Sequence, residues 1–189
     1  MLELKGNLFE PDSYRIMTPP TRGWVAANIN PDAICITTNG FVKKNGECVM
    51  GKGCAKQATQ LMPGLPKTLG DAIAEHGNRV ISHGSHNGMA IVTFPVKPES
   101  ELCRRDKANV VRHMQGRFNM GDKVPGWACV ADEQLIEHSA YQLVSMARIR
   151  GWNKIILPRP GCGAGELSWS TVQSILNNVL DDRFYSITF

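Results

Sequence analysis

Two short apolar runs constrain the fold of this chain most tightly, because each runs into a glycine-rich segment and then into a helix pattern. The first is Ala33–Thr38, bounded by Pro31-Asp32 and Asn39-Gly40. Met50-Gly51-Lys52-Gly53-Cys54-Ala55 follows it, ahead of a helix pattern over Cys54–Leu61. The second is Lys154–Leu157, followed by the loop Pro158–Leu167 and a helix pattern over Thr171–Leu180. Compact apolar runs between turn residues predict buried strands. Strands alternating with helices predict a three-layer α/β/α sandwich around a mixed, mostly parallel sheet. Such sheets take their ligands outside the carboxyl ends of the strands. Both glycine segments fall there.

The rest of the chain fits that frame. Met1–Lys5 alternates apolar and polar and predicts a short strand. Leu8–Asn30, with Pro11, Pro19 and Pro20, reads as an irregular connection. Lys67–His76 predicts a helix with Leu69, Ala72 and Ile73 on one face. Arg79–His83 and Met89–Pro95 predict two strands around a glycine-rich turn, and Lys107–Met114 a helix. Gln115–Trp127 holds three glycines and a proline and reads as an insertion, a candidate lid. Asp132–Arg150 is the clearest helix pattern, with Leu135, Ile136, Ser139, Ala140, Leu143, Val144 and Ala147 on one face. Asp132 is placed to cap its start and Gly151 follows its end. Phe184–Phe189 predicts a closing strand. The expectation is one domain over 1–189, with irregular insertions at about 10–31 and 103–130.

Composition excludes several classes. The net charge of +4 is a mild basic bias, short of the dense Lys/Arg patch of a dedicated nucleic-acid binder. None of the six cysteines forms a C-x-x-C pair, so they read as free thiols in a reducing cytosol. His83-x-x-His86 is the one pair suggestive of a metal, but its Gly/Ser/Asn-rich surroundings favour a plain turn. No apolar run approaches the roughly 20 residues that span a bilayer. The expectation is a cytoplasmic monomer with no metal, no cofactor and no membrane contact.

The chemistry of the two loops points to phosphate. Glycine lets backbone approach a ligand closely, and successive N–H groups form an anion-binding nest. A following helix N-terminus adds partial positive charge. Neither loop matches G-x-x-x-x-G-K-[ST], nor G-x-G-x-x-G after a first strand, so ATPase-type and nicotinamide-type sites are disfavoured. A pair of tight turns is the other reading of the same residues.

Several segments together resemble the macrodomain family. Asp32-Ala33-Ile34-Cys35-Ile36-Thr37-Thr38-Asn39 resembles the family's D-A-I-V-N-A-A-N. Lys5-Gly6-Asn7-Leu8-Phe9 resembles its opening K-G-D-[IL]-[TF]. Met50–Ala55 and Leu157–Gly163 resemble its two ligand loops. Phe94-Pro95-Val96-Lys97 resembles the F-P-T-K of a subgroup containing the terminal ADP-ribose protein glycohydrolase and the DarG antitoxins. The resemblance leaves out Pro11–Asn30 and Cys103–Val130.

What the resemblance implies is a macrodomain-like fold that binds ADP-ribose, free or carried on a protein, with nucleic acid open as a carrier. Asn7 would lie at the adenine end. Gly51, Lys52, Gly53 and Cys54 would wrap the diphosphate and distal ribose from one side. Gly161, Cys162, Gly163, Ala164 and Gly165 would do so from the other. Asn39 would reach the distal ribose and is a catalytic candidate, and Leu8, Thr38, Ala55, Pro158 and Glu166 are further candidate ligand-binding residues. Lys97 matches the catalytic lysine of the subgroup. A lysine amine attacks an anomeric carbon once burial has lowered its pKa, although a solvent lysine in the Pro95–Pro98 turn would look the same in sequence. Glu166 is a candidate acid/base or water-positioning group, or a carboxylate that favours the nearby helix dipole.

Three departures from the pattern stand out. Asn7 replaces the usual Asp. Cys35-Ile36-Thr37 replaces I-V-N. Gly165 stands where the glycohydrolase has Asp, with Glu166 one place out of register, although DarG-like members also carry Gly there. The activities in play are ADP-ribosyl hydrolysis, ADP-ribose binding without turnover, and ADP-ribose 1″-phosphate dephosphorylation. The basic segment Arg104, Arg105, Lys107, Arg112, Arg117 and Lys123, with His113, Phe118 and Trp127, is either a solvated insertion or a lid for an acidic or nucleic-acid carrier.

Overall fold

The computed structural model of the chain describes residues 1–18 and 23–188. Its main sheet has eight strands: β1 (Leu2–Lys5), β2 (Arg15–Thr18), β3 (Gly23–Ala26), β4 (Ala33–Asn39), β5 (Ile81–His86), β6 (Met89–Lys97), β9 (Ile155–Pro158) and β10 (Phe184–Thr188). Their spatial order is β3-β2-β1-β10-β9-β4-β6-β5. The five central strands, β1 to β6 in that order, run parallel. The edges β2, β3 and β5 are antiparallel. A small separate sheet pairs β7 (Ser100–Leu102) with β8 (Lys123–Pro125).

Four helices cover the two faces: α1 (Gly53–Leu61), α2 (Leu65–His76), α3 (Glu133–Arg150) and α4 (Trp169–Asn177). The period-two geometry of β4 decides which residues meet which helices. Ile34 and Ile36 join Leu4, Ile91, Ile156 and Ile187 against Ala58, Leu65 and Leu69 of α1 and α2. Ala33 and Cys35 join Val92, Phe94, Ile155, Leu157 and Phe184 against Ile136, Ala140, Leu143, Val172 and Leu176 of α3 and α4. Strands buried on both faces read as unbroken apolar runs. The three-layer sandwich is therefore as the sequence predicts.

Helix boundaries follow local chemistry. Asp132 accepts from the N–H groups of Gln134 and Leu135, at 2.8 and 3.0 Å, and so caps α3. Ile136, Ser139, Ala140, Leu143 and Ala147 form its buried face. Ser168 caps α4 through Thr171 N–H at 3.2 Å.

Three predictions need correction. Leu8–Asn30 is not wholly irregular, because it contains the hairpin β2–β3, whose strands of four residues are too short to show periodicity. Part of that segment, 19–22, and the last residue of the predicted closing strand, 189, lie outside the described residues. Lys107–Met114 is not an α-helix. It runs as turns into a tight 3-10 helix over Arg112–Arg117. His83 and His86 lie in strand β5 rather than in the turn, which is Asn87-Gly88.

The region after β6, which holds the insertion expected at about 103–130, has a core of its own. Cys103, Val110, Val111, Met114, Val124, Ala128 and Cys129 form it. Among the described residues no helix is long and apolar enough to cross a membrane.

Candidate functional site

The carboxyl ends of β10, β9, β4 and β6 open into one cleft of about 1110 Å³. Small-molecule sites are usually roughly 300–1,000 Å³, so this one has room for an extended ligand. β10 and β6 are three strand spacings apart. At ~4.8 Å per spacing the cleft crosses about 14 Å of sheet.

One wall is the Met50–Cys54 loop and the start of α1. Lys52 occupies the N-cap, no side chain caps the helix, and no acidic residue sits in its first turn. The leading N–H groups of α1 are thus left for a ligand, with the positive end of the helix dipole behind them. The other wall is the loop from Pro158 to Leu167. Cys162 N–H donates to Arg159, Glu166 N–H to Gly163, and Leu167 N–H to Gly161, which folds the loop on itself. The N–H groups of Gly163, Ala164 and Gly165 have no acceptor among the described residues. Three consecutive free N–H groups are the raw material of an anion nest. Gly161 turns the chain at φ +73°, a conformation that favours glycine.

Lys97 stands at the β6 end of the cleft. Strands β4 and β6 shift register between Thr38 and Asn39, so that Asn39 pairs with Lys97 and Val96 is skipped. Shifts of this kind re-aim side chains at strand ends. Lys97 is only 6% exposed, which rules out the solvent-lysine reading. Its Nζ donates to the carbonyl of Ala164 at 2.7 Å and to that of Trp127 at 3.3 Å. Burial pushes its pKa down to about 8; the neighbouring Cys129 thiol and Glu166 carboxylate oppose that shift, and Lys52 adds to it.

The charge of the cleft suits an anion. Lys52, Lys56 and Lys97 line it, against the single lining carboxylate of Glu166, while Arg159 at one end is paired with Glu3. Glu166 does not face Lys97 freely. Both its oxygens lie 3.1 Å from the N–H of Arg112, and its backbone sits at φ +62°. On the other wall, Lys52 Nζ is 3.5 Å from His113 Nε2. The lobe after β6 therefore contacts both ligand loops through two consecutive residues.

Most of the residues singled out in sequence come together here. Thr38, Asn39, Gly51, Lys52, Gly53, Cys54, Ala55, Lys97, Pro158 and Gly161 through Glu166 all line the cleft. Their roles are uneven. Thr38 Oγ1 is buried without a partner, so it is ready to bond a ligand. Asn39 spends its amide on the protein: Nδ2 donates to Val49 O at 2.7 Å and Oδ1 accepts from Phe41 N–H at 3.0 Å. Cys54 lies against Thr37 Oγ1 at 3.3 Å, and burial raises the pKa of its thiol. Asn7 and Leu8 are not among the lining residues. Asn7 Oδ1 accepts from Phe9 N–H and its Nδ2 donates to Glu10, while Leu8 is buried.

Sequence reasoning left Arg159, Ile187 and Thr188 out of the site and named His113 and Trp127 only as part of a candidate lid; all five line the cleft. Arg159 lies inside the second loop motif and was available. No local pattern places His113 and Trp127 at the cleft, because only the folding of the lobe brings them there.

A mostly parallel α/β/α sandwich with two N–H-lined loops at its strand ends is an arrangement suited to phosphate-bearing ligands. No protein-family model matches the chain, and no curated protein matches it. Solved structures do. The macrodomain of Thermus aquaticus DarG is similar with a TM-score of 0.62 at 20% identity, covering 100% of this chain and 97% of that one. The macrodomain of Mycobacterium tuberculosis DarG is similar at 0.58 and 18% identity, covering 85% and 91%. Thermosipho africanus DarTG, solved in complex with ADP-ribose, is similar at 0.59 and 16% identity. That match covers 83% of this chain and 38% of the other. The fold of this chain is the macrodomain fold.

Proposed function

We propose that the cleft binds ADP-ribose and that the chain removes ADP-ribosyl groups from a protein or nucleic-acid carrier. The macrodomain fold, the two N–H-lined loops and the cationic lining support the ligand. So does the fold neighbour whose structure holds ADP-ribose.

Lys97 carries the hydrolase reading. It is a buried amine at one end of the cleft, with its pKa pushed down to about 8 by burial. Such an amine is neutral and nucleophilic far more often than a solvent lysine at the same pH. The neutral amine attacks the anomeric carbon of the distal ribose. The C–N bond forms as the bond to the carrier breaks, and the carrier leaves with the amine's proton. Water then adds at the same carbon, releasing ADP-ribose and restoring Lys97.

A second reading, binding without turnover, is favoured by the engagement of Glu166 with Arg112, which ties the one carboxylate among the described lining residues to the lobe. Incubating ADP-ribosylated protein and ADP-ribosylated DNA with wild type and Lys97→Ala separates the two. Turnover by wild type alone establishes the hydrolase, and equal turnover by both removes Lys97 from the chemistry. Tight ADP-ribose binding with no turnover leaves the binding module. No binding overturns both readings.

A further inference from the structure

The two ends of the cleft differ in chemistry. Lys97 marks the β6 end. At the β10 end the lining is Pro158, Arg159, Ile187 and Thr188, with Pro158 and Ile187 paired in register. The N–H-lined loops lie between. A ligand with its diphosphate on the loops and its reacting ribose at Lys97 must place its nucleobase at the β10 end. Asn7, the residue expected there, is turned to Phe9 and Glu10 instead.

Arg159 is held rigidly at that end by two other elements. Its Nη2 lies 3.1 Å from Glu3 Oε2 on β1. Its guanidinium carbon lies 4.8 Å from the ring centre of Trp169 on α4. The other oxygen of Glu3 accepts from Trp169 Nε1 at 2.8 Å and from Gln173 Nε2 at 3.0 Å. Both oxygens of the carboxylate are thus engaged in holding the arginine and the tryptophan together. A guanidinium has two flat faces, and the tryptophan covers one. Glu3 offsets its charge, which makes it a poor phosphate ligand, and the loops already serve the phosphates. What remains is a fixed, planar stacking surface.

We propose that Arg159, clamped by Glu3 and Trp169, is the residue that recognises the nucleobase. Its free face stacks on adenine, giving the order Trp169, Arg159, base. This rests on the reading of the ligand as ADP-ribose.

Calorimetry with two ligands tests it: ADP-ribose, and the base-free diribosyl diphosphate with the same diphosphate and distal ribose. Arg159→Ala weakens ADP-ribose binding about tenfold, the scale of a desolvated cation–π contact, and leaves the base-free ligand unchanged. Arg159→Lys keeps the charge but not the plane, and falls with the alanine variant; it also serves if that variant does not fold. Equal losses on both ligands, no loss on either, or full ADP-ribose affinity in Arg159→Lys overturns the assignment. Wild-type protein that binds neither ligand overturns the ADP-ribose reading itself, before any variant is compared.

Discussion

Lys97 Nζ lies 2.7 Å from the carbonyl oxygen of Ala164, so the end of strand β6 is tied to the tip of the second glycine loop. The contact places the amine inside the cleft and buries it. Burial holds its pKa at about 8, against roughly 10.4 in an unfolded chain. The neutral form attacks, so turnover rises as pH climbs through about 8 and levels off above it. Lys97→Arg, charged at every working pH, removes both the limb and the activity. A pH–rate profile flat through this range speaks against Lys97 as the nucleophile.

The same depressed pKa sets a stability trend. Above the folded pKa, and up to the unfolded one, the unfolded state binds more protons than the folded state, so stability rises with pH through that window. Below it the burial penalty on the ammonium is present in full. Thermal melts between pH 8 and 10 therefore show the wild type gaining on Lys97→Met as pH increases. A wild type that loses ground to Lys97→Met over that range contradicts the burial assigned to Lys97.

Gly165 has no room for a side chain. A Cβ there would fall inside contact distance of the Gly161 carbonyl oxygen and 2.7 Å from Ala131 Cβ. The carbonyl of Gly165 also accepts from Ala131 N–H at 2.9 Å, which pins the loop to the start of α3. Restoring the glycohydrolase's carboxylate with Gly165→Asp is thus expected to lower stability by about 1–3 kcal/mol, an overpacking effect, without raising turnover. Gly165→Ala shows the same loss. A Gly165→Asp variant that melts like wild type and turns over faster contradicts the packing of the loop.

The sandwich was legible because its signals are local. Ile34 and Ile36 bracket Cys35 in one short run, and Asp132 precedes a helix it caps, so neither needs a distant partner to be read. The β2–β3 hairpin was not legible. Arg15–Thr18 is set by its pairing with Leu4 and Lys5 of β1, and Gly23–Ala26 by its pairing with Arg15–Thr18 in turn. The lobe after β6 was missed for a related reason. Its core residues, from Cys103 to Cys129, are scattered among glycines and charges with no period. The ligand loops showed in their glycines, and Lys97 in its motif. That Asn39 serves the protein, and that His113 reaches Lys52, depends on tertiary contacts that no local pattern carries.

Glu166 offers a sharp test of acid/base catalysis. Its carboxylate accepts from Arg112 N–H through both oxygens. Glu166→Gln keeps an acceptor and loses only the charge. If Glu166 positions the lobe, turnover in Glu166→Gln stays within about tenfold of wild type. A general acid or base would lose roughly 10²–10⁴-fold. Glu166→Ala removes the acceptor, and hydrogen exchange at Arg112–Arg117 speeds up. A loss of the larger size in Glu166→Gln, with exchange unchanged in Glu166→Ala, returns Glu166 to the chemistry.

Asn39 joins the end of β4 to the first ligand loop, donating to Val49 and accepting from Phe41. Asn39→Asp keeps the acceptor for Phe41 N–H but sets a carboxylate oxygen against the Val49 carbonyl. A half-buried acceptor left without its donor costs about 1–3 kcal/mol, so the variant melts earlier than wild type. Val49 leads into Met50–Cys54, so the released loop also holds its ligand less well. Saturating ADP-ribose then raises the melting temperature of Asn39→Asp by less than it raises that of wild type. If Asn39 instead touches the ribose and does nothing for the loop, ligand-free Asn39→Asp melts with wild type and only the ligand-induced shift is lost.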